Sequence, residues 1–188
     1  IANNIDQTLE IFDKNMDATY SVAWLNSTNS RNNIGQSLIM LGEHAKINDL
    51  NQKNILNPLK LKSKKNRNIP FYFPSWFLNK KLIKLFNFLY YFIGKNFSKE
   101  KIVYWDDYFY PLDSIMGWNK IYGREGFVQY QCVIPLEKSK EGLIELLKEI
   151  DKSKVSSFLS VLKRFGKQNS KFSFPMEGYT IALDFPIN

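Results

Sequence analysis

The sequence predicts an α+β fold, with a largely antiparallel β-sheet and flanking helices. Segments that read as strands outnumber segments with helical periodicity. The strict βαβ alternation that is typical of parallel sheets is absent. A length of 188 residues suits one hydrophobic core and is short for two. We therefore expect a single domain over residues 1–188.

Three segments predict amphipathic helices. Apolar residues recur at helical spacing from Ile5 to Met16. The second helix is expected to begin at Ser75, a favoured N-cap residue, and to run to about Ile93, where Gly94 closes it. The third spans residues 137–152, with its leucines and Ile150 directed inward.

The second of these helices has two contrasting sides. The apolar side carries Leu78, Leu82, Leu85, Phe86, Leu89 and Ile93, and the other side carries Lys80, Lys84, Asn87 and Tyr91. Such a stripe is typical of a helix that packs its apolar side against a core, which is the interpretation we favour. Basic and aromatic residues around the stripe also suit a membrane surface or a lipid tail, so this second interpretation stays open.

Five segments predict strands, at residues 19–26, 37–41, 127–135, 155–165 and 179–186. The aromatic segment from Tyr104 to Tyr110 is expected to be partly extended. Residues 46–67 are polar and lack clear periodicity. The last part of this region, from Leu59 to Arg67, carries several basic residues and no acidic one, so we expect a mobile surface loop there.

The composition describes a globular, basic chain. Hydrophobic residues make up 44% of the sequence and aromatic residues 15%, which excludes an intrinsically disordered chain. The formal net charge of +8 suits phosphate, anionic lipid or nucleic acid without choosing among them. No apolar run reaches the ~18 residues that a membrane-spanning helix needs.

Several kinds of catalytic site are excluded by what the sequence lacks. With Cys132 and His44 as its single cysteine and histidine, the chain can form no intrachain disulfide, CxxC metal site or histidine-rich metal site. Cys132 is expected to be a core thiol in a reducing compartment. The GxGxxG, GxxxxGKS/T, HExxH and GxSxG motifs are absent. Asp106 and Asp107 are adjacent, which does not support a glycosidase carboxylate pair.

Polar residues recur with matching parity on three of the predicted strands. They are Gln129 and Gln131 on the segment 127–135, Lys163 on the segment 155–165, and Thr180 and Asp184, which share a face with Ala182, on the segment 179–186. Successive side chains of a strand point to opposite faces, so each set lies on one face. If the three faces coincide, they form a polar wall that can orient a hydroxylated ligand or stabilise negative charge. The alternative is an ordinary sheet with one solvated face, which composition alone favours.

Ordered motifs extend over most of the chain, apart from the region around residues 46–70. They are YSVAW (20–24), YPLD (110–113), WNKIYG (118–123), GFVQYQ (126–131), SFL (157–159), LKRFG (162–166), SFP (173–175) and GYTIALDFP (178–186). This pattern resembles the decaprenylphosphoryl-β-D-ribose 2-oxidases and their bacterial relatives, which are FAD-linked oxidases of the vanillyl-alcohol oxidase type.

The resemblance implies a cap, or substrate, domain of a two-domain flavoenzyme. In such enzymes an N-terminal domain holds most of the FAD, and the cap is a large antiparallel sheet that roofs the flavin. A catalytic lysine lies farther along the chain. We therefore expect the FAD-binding domain and the C-terminal tail to lie outside residues 1–188, no catalytic residue and no metal site within them, and no activity from the fragment alone.

The resemblance also implies a reaction and a set of pocket residues. The reaction is hydride transfer from a sugar C–H bond to flavin N5, which turns a secondary alcohol into a ketone. By similarity, the residues that line the pocket are Gln129, Gln131, Lys163, Trp24, Thr180, Ala182 and Phe109. Three of them depart from the family pattern. This chain has Ala182 where the pattern has a cysteine, Thr180 where it has an asparagine and Phe109 where it has a tyrosine.

The expected partners are a sugar or lipid-linked sugar substrate, the FAD-binding domain of the same polypeptide, a partner reductase and a membrane surface, with no nucleic acid. The expected location is the cytoplasm or the inner face of the cell membrane. Two alternatives remain open. One is the cap of an aldonolactone-type FAD oxidase, and the other is a basic module that binds membrane or nucleic acid without catalysis.

Overall fold

A computed structural model describes residues 1–28, 33–60, 67–97, 100–153, 155–169, 171 and 176–187. Its centre is a five-stranded antiparallel sheet with the order β2-β1-β6-β7-β5. The strands are β1 (Tyr20–Leu25), β2 (Ser37–Gly42), β5 (Phe127–Pro135), β6 (Leu159–Phe165) and β7 (Gly178–Pro186), and β3 (Arg67–Asn68) and β4 (Ile115–Met116) pair separately in parallel. The α+β prediction is confirmed.

Five α-helices accompany the sheet in the described part of the chain. They are α1 (Ile5–Lys14), α2 (Gln52–Ile55), α3 (Lys80–Phe97), α4 (Trp105–Phe109) and α5 (Ser139–Lys152). Helices α1 and α5 cover one face of the sheet. Between them and the sheet lies the main core, in which Leu143, Leu162, Ile181 and Leu183 are completely buried. Burying an aliphatic side chain of this size stabilises a fold by about 1.5–3 kcal/mol.

The opposite face of the sheet is partly covered by α3. Tyr90 of this helix packs on Trp24 of β1, with ring centroids 4.8 Å apart. Farther toward β5, a second cluster of Leu78, Ile83 and Tyr122 packs with aromatic residues that include Phe127. Between the helix and this cluster, part of the face formed by β6, β7 and β5 stays uncovered.

The bounds predicted for α3 were wrong at both ends. Residues Ser75–Leu78 form a 3-10 turn, and α3 begins at Lys80. Asn79 precedes it, and its Oδ1 accepts the N–H groups of Lys81 at 2.9 Å and Leu82 at 3.1 Å. An asparagine before the first turn can thus cap the helix that the serine was expected to cap.

Gly94 does not end α3, which continues to Phe97. The glycine lies where the helix packs closely on the Leu38 side chain of β2. A Cβ atom at position 94 would lie 2.3 Å from Cδ1 of Leu38. A larger residue at this position would require the Leu38 side chain to move.

The sides of α3 are also the reverse of the prediction. Asn87 and Tyr91 are buried, whereas Leu85 and Leu89 are exposed. Asn87 Nδ2 donates to Asn26 Oδ1 at 3.1 Å and to Thr28 Oγ1 at 3.2 Å. Hydrogen bonds to two residues that follow β1 therefore help to hold this side of the helix against the sheet.

Two further segments differ from their predictions. The aromatic segment 104–110 contains a helical turn, α4, and is not extended. Within the mobile loop predicted at Leu59–Arg67, Arg67 belongs to β3, and residues 61–66 lie outside the described part of the chain. The SFP motif at 173–175 lies outside it as well. The remaining predicted strands and helices are present with ends shifted by up to a few residues.

Gly178 is expected to be intolerant of a side chain. It begins β7 opposite Pro135, and a Cβ atom there would lie 2.2 Å from the carbonyl oxygen of Ile134. Because the backbone of a paired strand cannot move aside cheaply, Gly178→Ala should lower the free energy of unfolding by about 1–3 kcal/mol. Chemical denaturation measures this change.

Gly166→Ala is the matched control, since it follows β6 and a Cβ atom there meets nothing within 4 Å. We expect it to change stability by less than about 1 kcal/mol, in the stabilising direction. Equal effects of the two substitutions would contradict the close approach at Gly178.

Candidate functional site

A pocket of about 240 Å³ opens on the face of the sheet that α1 and α5 do not cover. Six side chains from three neighbouring strands line it: Gln129 and Gln131 of β5, Val161 and Lys163 of β6, and Thr180 and Ala182 of β7. Five of these six are residues that the sequence singled out. The structure thus brings together the two amides, the lysine, the threonine and the alanine.

Strand register explains why these residues meet. Ala182 of β7 lies opposite Gln131 of β5 on one side and opposite Val161 of β6 on the other. Thr180 lies opposite Lys163. Directly opposed residues in an antiparallel pair share a face of the sheet, so three strands contribute to one surface.

Gln129 is held by a buried carboxylate. Its Nε2 donates to Asp184 Oδ1 at 2.7 Å, and the two residues lie opposite each other in the β5–β7 pair. Because a carboxylate accepts hydrogen bonds, this contact directs the NH₂ group of Gln129 toward Asp184. The amide oxygen is then free of that contact and can accept a hydrogen bond from a ligand.

Asp184 itself lies in an unusual environment for an acid. It is 2% exposed, and burial raises the pKa of its carboxyl group, while the hydrogen bonds from Gln129 and from Tyr122 act in the opposite direction. The Tyr122 hydroxyl donates to Oδ2 at 3.5 Å, and burial together with the nearby carboxylate raises the pKa of Tyr122. The backbone N–H of Asp184 donates to Ser157 Oγ at 3.1 Å.

The amide of Gln131, two residues farther along β5, is also held through its nitrogen by a residue of β7. Gln131 Nε2 donates to Thr180 Oγ1 at 3.2 Å. Thr180 is buried, whereas both glutamines are exposed on the rim of the pocket. Each amide is therefore anchored at its nitrogen by a buried residue of β7, which limits how it can turn.

Lys163 supplies the positive charge of the pocket. Its side chain is exposed, and within the described residues it forms no ion pair. An ammonium group that is not neutralised by a protein carboxylate can attract an anionic ligand or a developing negative charge.

Two residues implied by the resemblance lie beyond this pocket. Trp24 is buried beneath Tyr90, although its place opposite Val161 puts it in the same row across the sheet as Ala182. Phe109 lies on α4 and packs edge-to-face on Tyr20 at 4.8 Å. Neither side chain lines the pocket, so their part in a site remains a prediction.

Sequence reasoning identified Asp184 by parity but not its partners. Tyr122 comes from a 3-10 turn, and Ser157 precedes β6. Neither position carries a periodic signal that would place it beside β7. The signal that could have pointed to them is Asp184 itself. A carboxylate that is buried opposite Gln129 needs further hydrogen-bond partners.

The pocket is smaller than a complete ligand site, which typically occupies about 300–1,000 Å³. It forms one wall with hydrogen-bond acceptors, a hydroxyl and a cation. The residues that the structure describes contain no group of three or more His, Cys, Asp or Glu side chains that could hold a metal ion. In the same residues, no helix is long and apolar enough to cross a membrane.

Sequence comparison relates this chain to a known enzyme. It is 32% identical over 190 aligned residues to the decaprenylphosphoryl-beta-D-ribose oxidase of Mycolicibacterium smegmatis strain ATCC 700084 / mc(2)155. The chain is homologous to part of that oxidase. The alignment covers 100% of this chain and 41% of the oxidase, so the chain spans about two fifths of the length of this relative. The resemblance predicted from the motifs is confirmed. No protein-family model matches the chain.

The raised pKa of Asp184 gives stability a specific pH dependence. The folded protein binds the proton of this carboxyl group more tightly than the unfolded chain, in which the pKa is about 3.8. Its protonated form therefore contributes stability that is complete below about pH 3.8 and is lost as the pH rises through the folded-state pKa.

The free energy of unfolding of the wild type minus that of Asp184→Asn isolates this effect, because other groups titrate in both proteins. We expect the difference to be flat at the acid end and to fall as the pH rises, by about 1.4 kcal/mol for each unit between the two pKa values. Denaturant titrations at a series of pH values measure it. A difference that grows with pH would show that the folded-state pKa is lowered.

Proposed function

We propose that this chain is the substrate-binding cap domain of an FAD-dependent oxidoreductase, which oxidises a secondary alcohol of a sugar or a polyprenyl-phosphosugar by hydride transfer to flavin N5. One observation carries the proposal. Gln129, Gln131, Lys163, Thr180 and Ala182 line a single pocket in a chain that is similar over its whole length to part of an oxidase.

The lining of the pocket fits one side of a flavin ring. Ala182 and Val161 are small or compact side chains at the centre of the sheet, which leaves a shallow surface for a flat ring system. Lys163 and the amides of Gln129 and Gln131 surround it with polar groups. FAD supplies the hydride acceptor when bound, and most of its binding surface belongs to a domain outside residues 1–188.

Lys163 has a defined role in this arrangement. Its ammonium group would stabilise negative charge on a bound flavin or on a sugar oxygen during oxidation of the alcohol. Because the described residues offer Lys163 no carboxylate partner, its charge is available for this purpose.

The two glutamines suit the hydroxyl groups of a sugar. Their nitrogens donate to Asp184 Oδ1 and to Thr180 Oγ1, so their oxygens can accept hydrogen bonds from sugar O–H groups. Asp184 acts here as a positioning residue, since it touches Gln129 and does not line the pocket. Substrate profiling of the full-length protein distinguishes a phosphosugar from an aldonolactone.

The assignment as a cap is tested by flavin content. Full-length protein should purify yellow with bound FAD, and the separate 1–188 fragment should purify colourless and inactive, because a single wall does not enclose a cofactor. Absorbance between 350 and 500 nm measures this. A fragment that binds FAD stoichiometrically, or a full-length protein that binds none, would contradict the assignment.

Lys163→Ala in the full-length protein tests the site itself. We expect it to slow flavin reduction in a single turnover by about 10- to 100-fold, because it removes a charge that acts in the transition state. Stability should change by less than about 0.5 kcal/mol, since the side chain is exposed.

Lys148→Ala on α5, on the other side of the sheet, is the matched control and should reduce flavin at the wild-type rate. Unchanged single-turnover reduction in Lys163→Ala would remove Lys163 from the reacting centre. A loss of FAD binding in this variant would place the lysine in cofactor binding instead.

A further inference from the structure

Helix α3 turns an apolar surface toward solvent. We define its outer face by the residues Leu82, Leu85, Phe88, Leu89, Phe92 and Ile93, which are 36–62% exposed. They recur at helical spacing over three turns and form a continuous stripe. Single exposed apolar residues are ordinary, but a contiguous apolar stripe of this size marks a surface that binds something.

The orientation of α3 is fixed by the opposite side of the helix. Ile83, Asn87 and Tyr91 are buried there. Asn87 donates hydrogen bonds to Asn26 and Thr28, which follow β1, and the Tyr91 hydroxyl donates to the carbonyl of Ala2 at 3.2 Å. Rotating the helix to bury its leucines would break these hydrogen bonds, so the outer face is held outward.

The charges on α3 all have the same sign. The helix carries Lys80, Lys81, Lys84 and Lys95 and no acidic residue. Lys80 pairs with Asp151 of α5 at 2.8 Å. Within the described residues the other three lysines form no ion pair. At 100° per residue, Lys84 and Lys95 border one edge of the outer face, and Lys81 lies at its N-terminal end.

We propose that the outer face of α3 docks on the surface of a lipid bilayer that contains anionic lipids. An apolar stripe bordered by uncompensated lysines is the pattern of a helix that lies in the membrane interface, with apolar side chains among the acyl chains and ammonium groups at the phosphates. Trp76, which is exposed just before α3, suits the same interface.

Charge argues against a second copy of the chain as the occupant. In a two-fold dimer the same patch faces itself, so the lysine-rich edge of one α3 would lie close to that of the other without acids to offset them. Anionic head groups supply that compensation. The proposal does not rest on flavin chemistry, because none of these residues lines the pocket.

Vesicle co-flotation of the full-length protein tests the proposal. The probes are vesicles of equal parts phosphatidylglycerol and phosphatidylcholine, and vesicles of phosphatidylcholine alone. We expect at least about tenfold stronger binding to the anionic vesicles at low salt, and weaker binding as salt screens the lysines. Lys81→Gln/Lys84→Gln/Lys95→Gln should lose most of this preference.

A matched pair of variants separates the outer face from general hydrophobicity. Phe88→Ser/Phe92→Ser removes two side chains that are 62% and 55% exposed, and we expect at least a tenfold loss of binding to anionic vesicles. The control Met16→Ser/Val128→Ser removes two that are 62% and 54% exposed elsewhere on the molecule, after α1 and on β5, and should change binding by less than about twofold.

Several outcomes would overturn the proposal. They are no vesicle binding by the full-length protein, equal binding to both kinds of vesicle, equal losses in the two double variants, and a dimer that Phe88→Ser/Phe92→Ser dissociates. Flavin content and single-turnover reduction, measured on the same preparations, report separately on the proposed function.

Discussion

Strand β7 and its register between β5 and β6 determine both the core and the pocket. Ile181 and Leu183 point into the main core, and Thr180, Ala182 and Asp184 point to the opposite face. A shift of one residue in this strand would turn the polar set into the main hydrophobic core and turn the apolar set out of it. Each aliphatic residue exposed in this way would cost about 1.5–3 kcal/mol. The hydrophobic core therefore fixes the geometry of the polar wall.

The polar wall also depends on residues that do not line it. Burial of Asp184 is unfavourable for its charged form, as the direction of its pKa shift indicates, and hydrogen bonds from Gln129 and Tyr122 offset part of this cost. In return, Asp184 orients the amide of Gln129, and Thr180 contacts the amide of Gln131. A site whose donors and acceptors are oriented in advance loses little entropy when it binds a ligand.

Much of this arrangement could be predicted from strand parity. The alternation along residues 127–135 and 179–186 placed the two amides on one face of their strand, and Thr180 and Ala182 on one face of theirs. Parity cannot indicate which strands are neighbours. It therefore left open whether the faces of the three strands coincide, and it could not place Trp24 beneath Tyr90.

Helix α3 shows where pattern reasoning fails. A helical wheel separates apolar from polar side chains and assumes that the apolar side is buried. Here Asn87 and Tyr91 face inward because Asn26, Thr28 and Ala2 provide hydrogen-bond partners that lie far away in the sequence. Gly94 likewise reads as a helix end, yet the helix continues past it, and a Cβ atom there would overlap the side chain of Leu38. Both facts depend on tertiary contacts.

The central claim is that Gln129, Gln131, Lys163 and Thr180 form one wall of a ligand site on the uncovered part of the sheet. The most direct measurement is the distance from Lys163 Nζ and the glutamine oxygens to the cofactor and substrate in a crystal structure of the full-length, ligand-bound protein. The account predicts hydrogen-bonding distances to the flavin or the sugar at these atoms. A flavin and substrate bound elsewhere, with this pocket facing solvent, would contradict it.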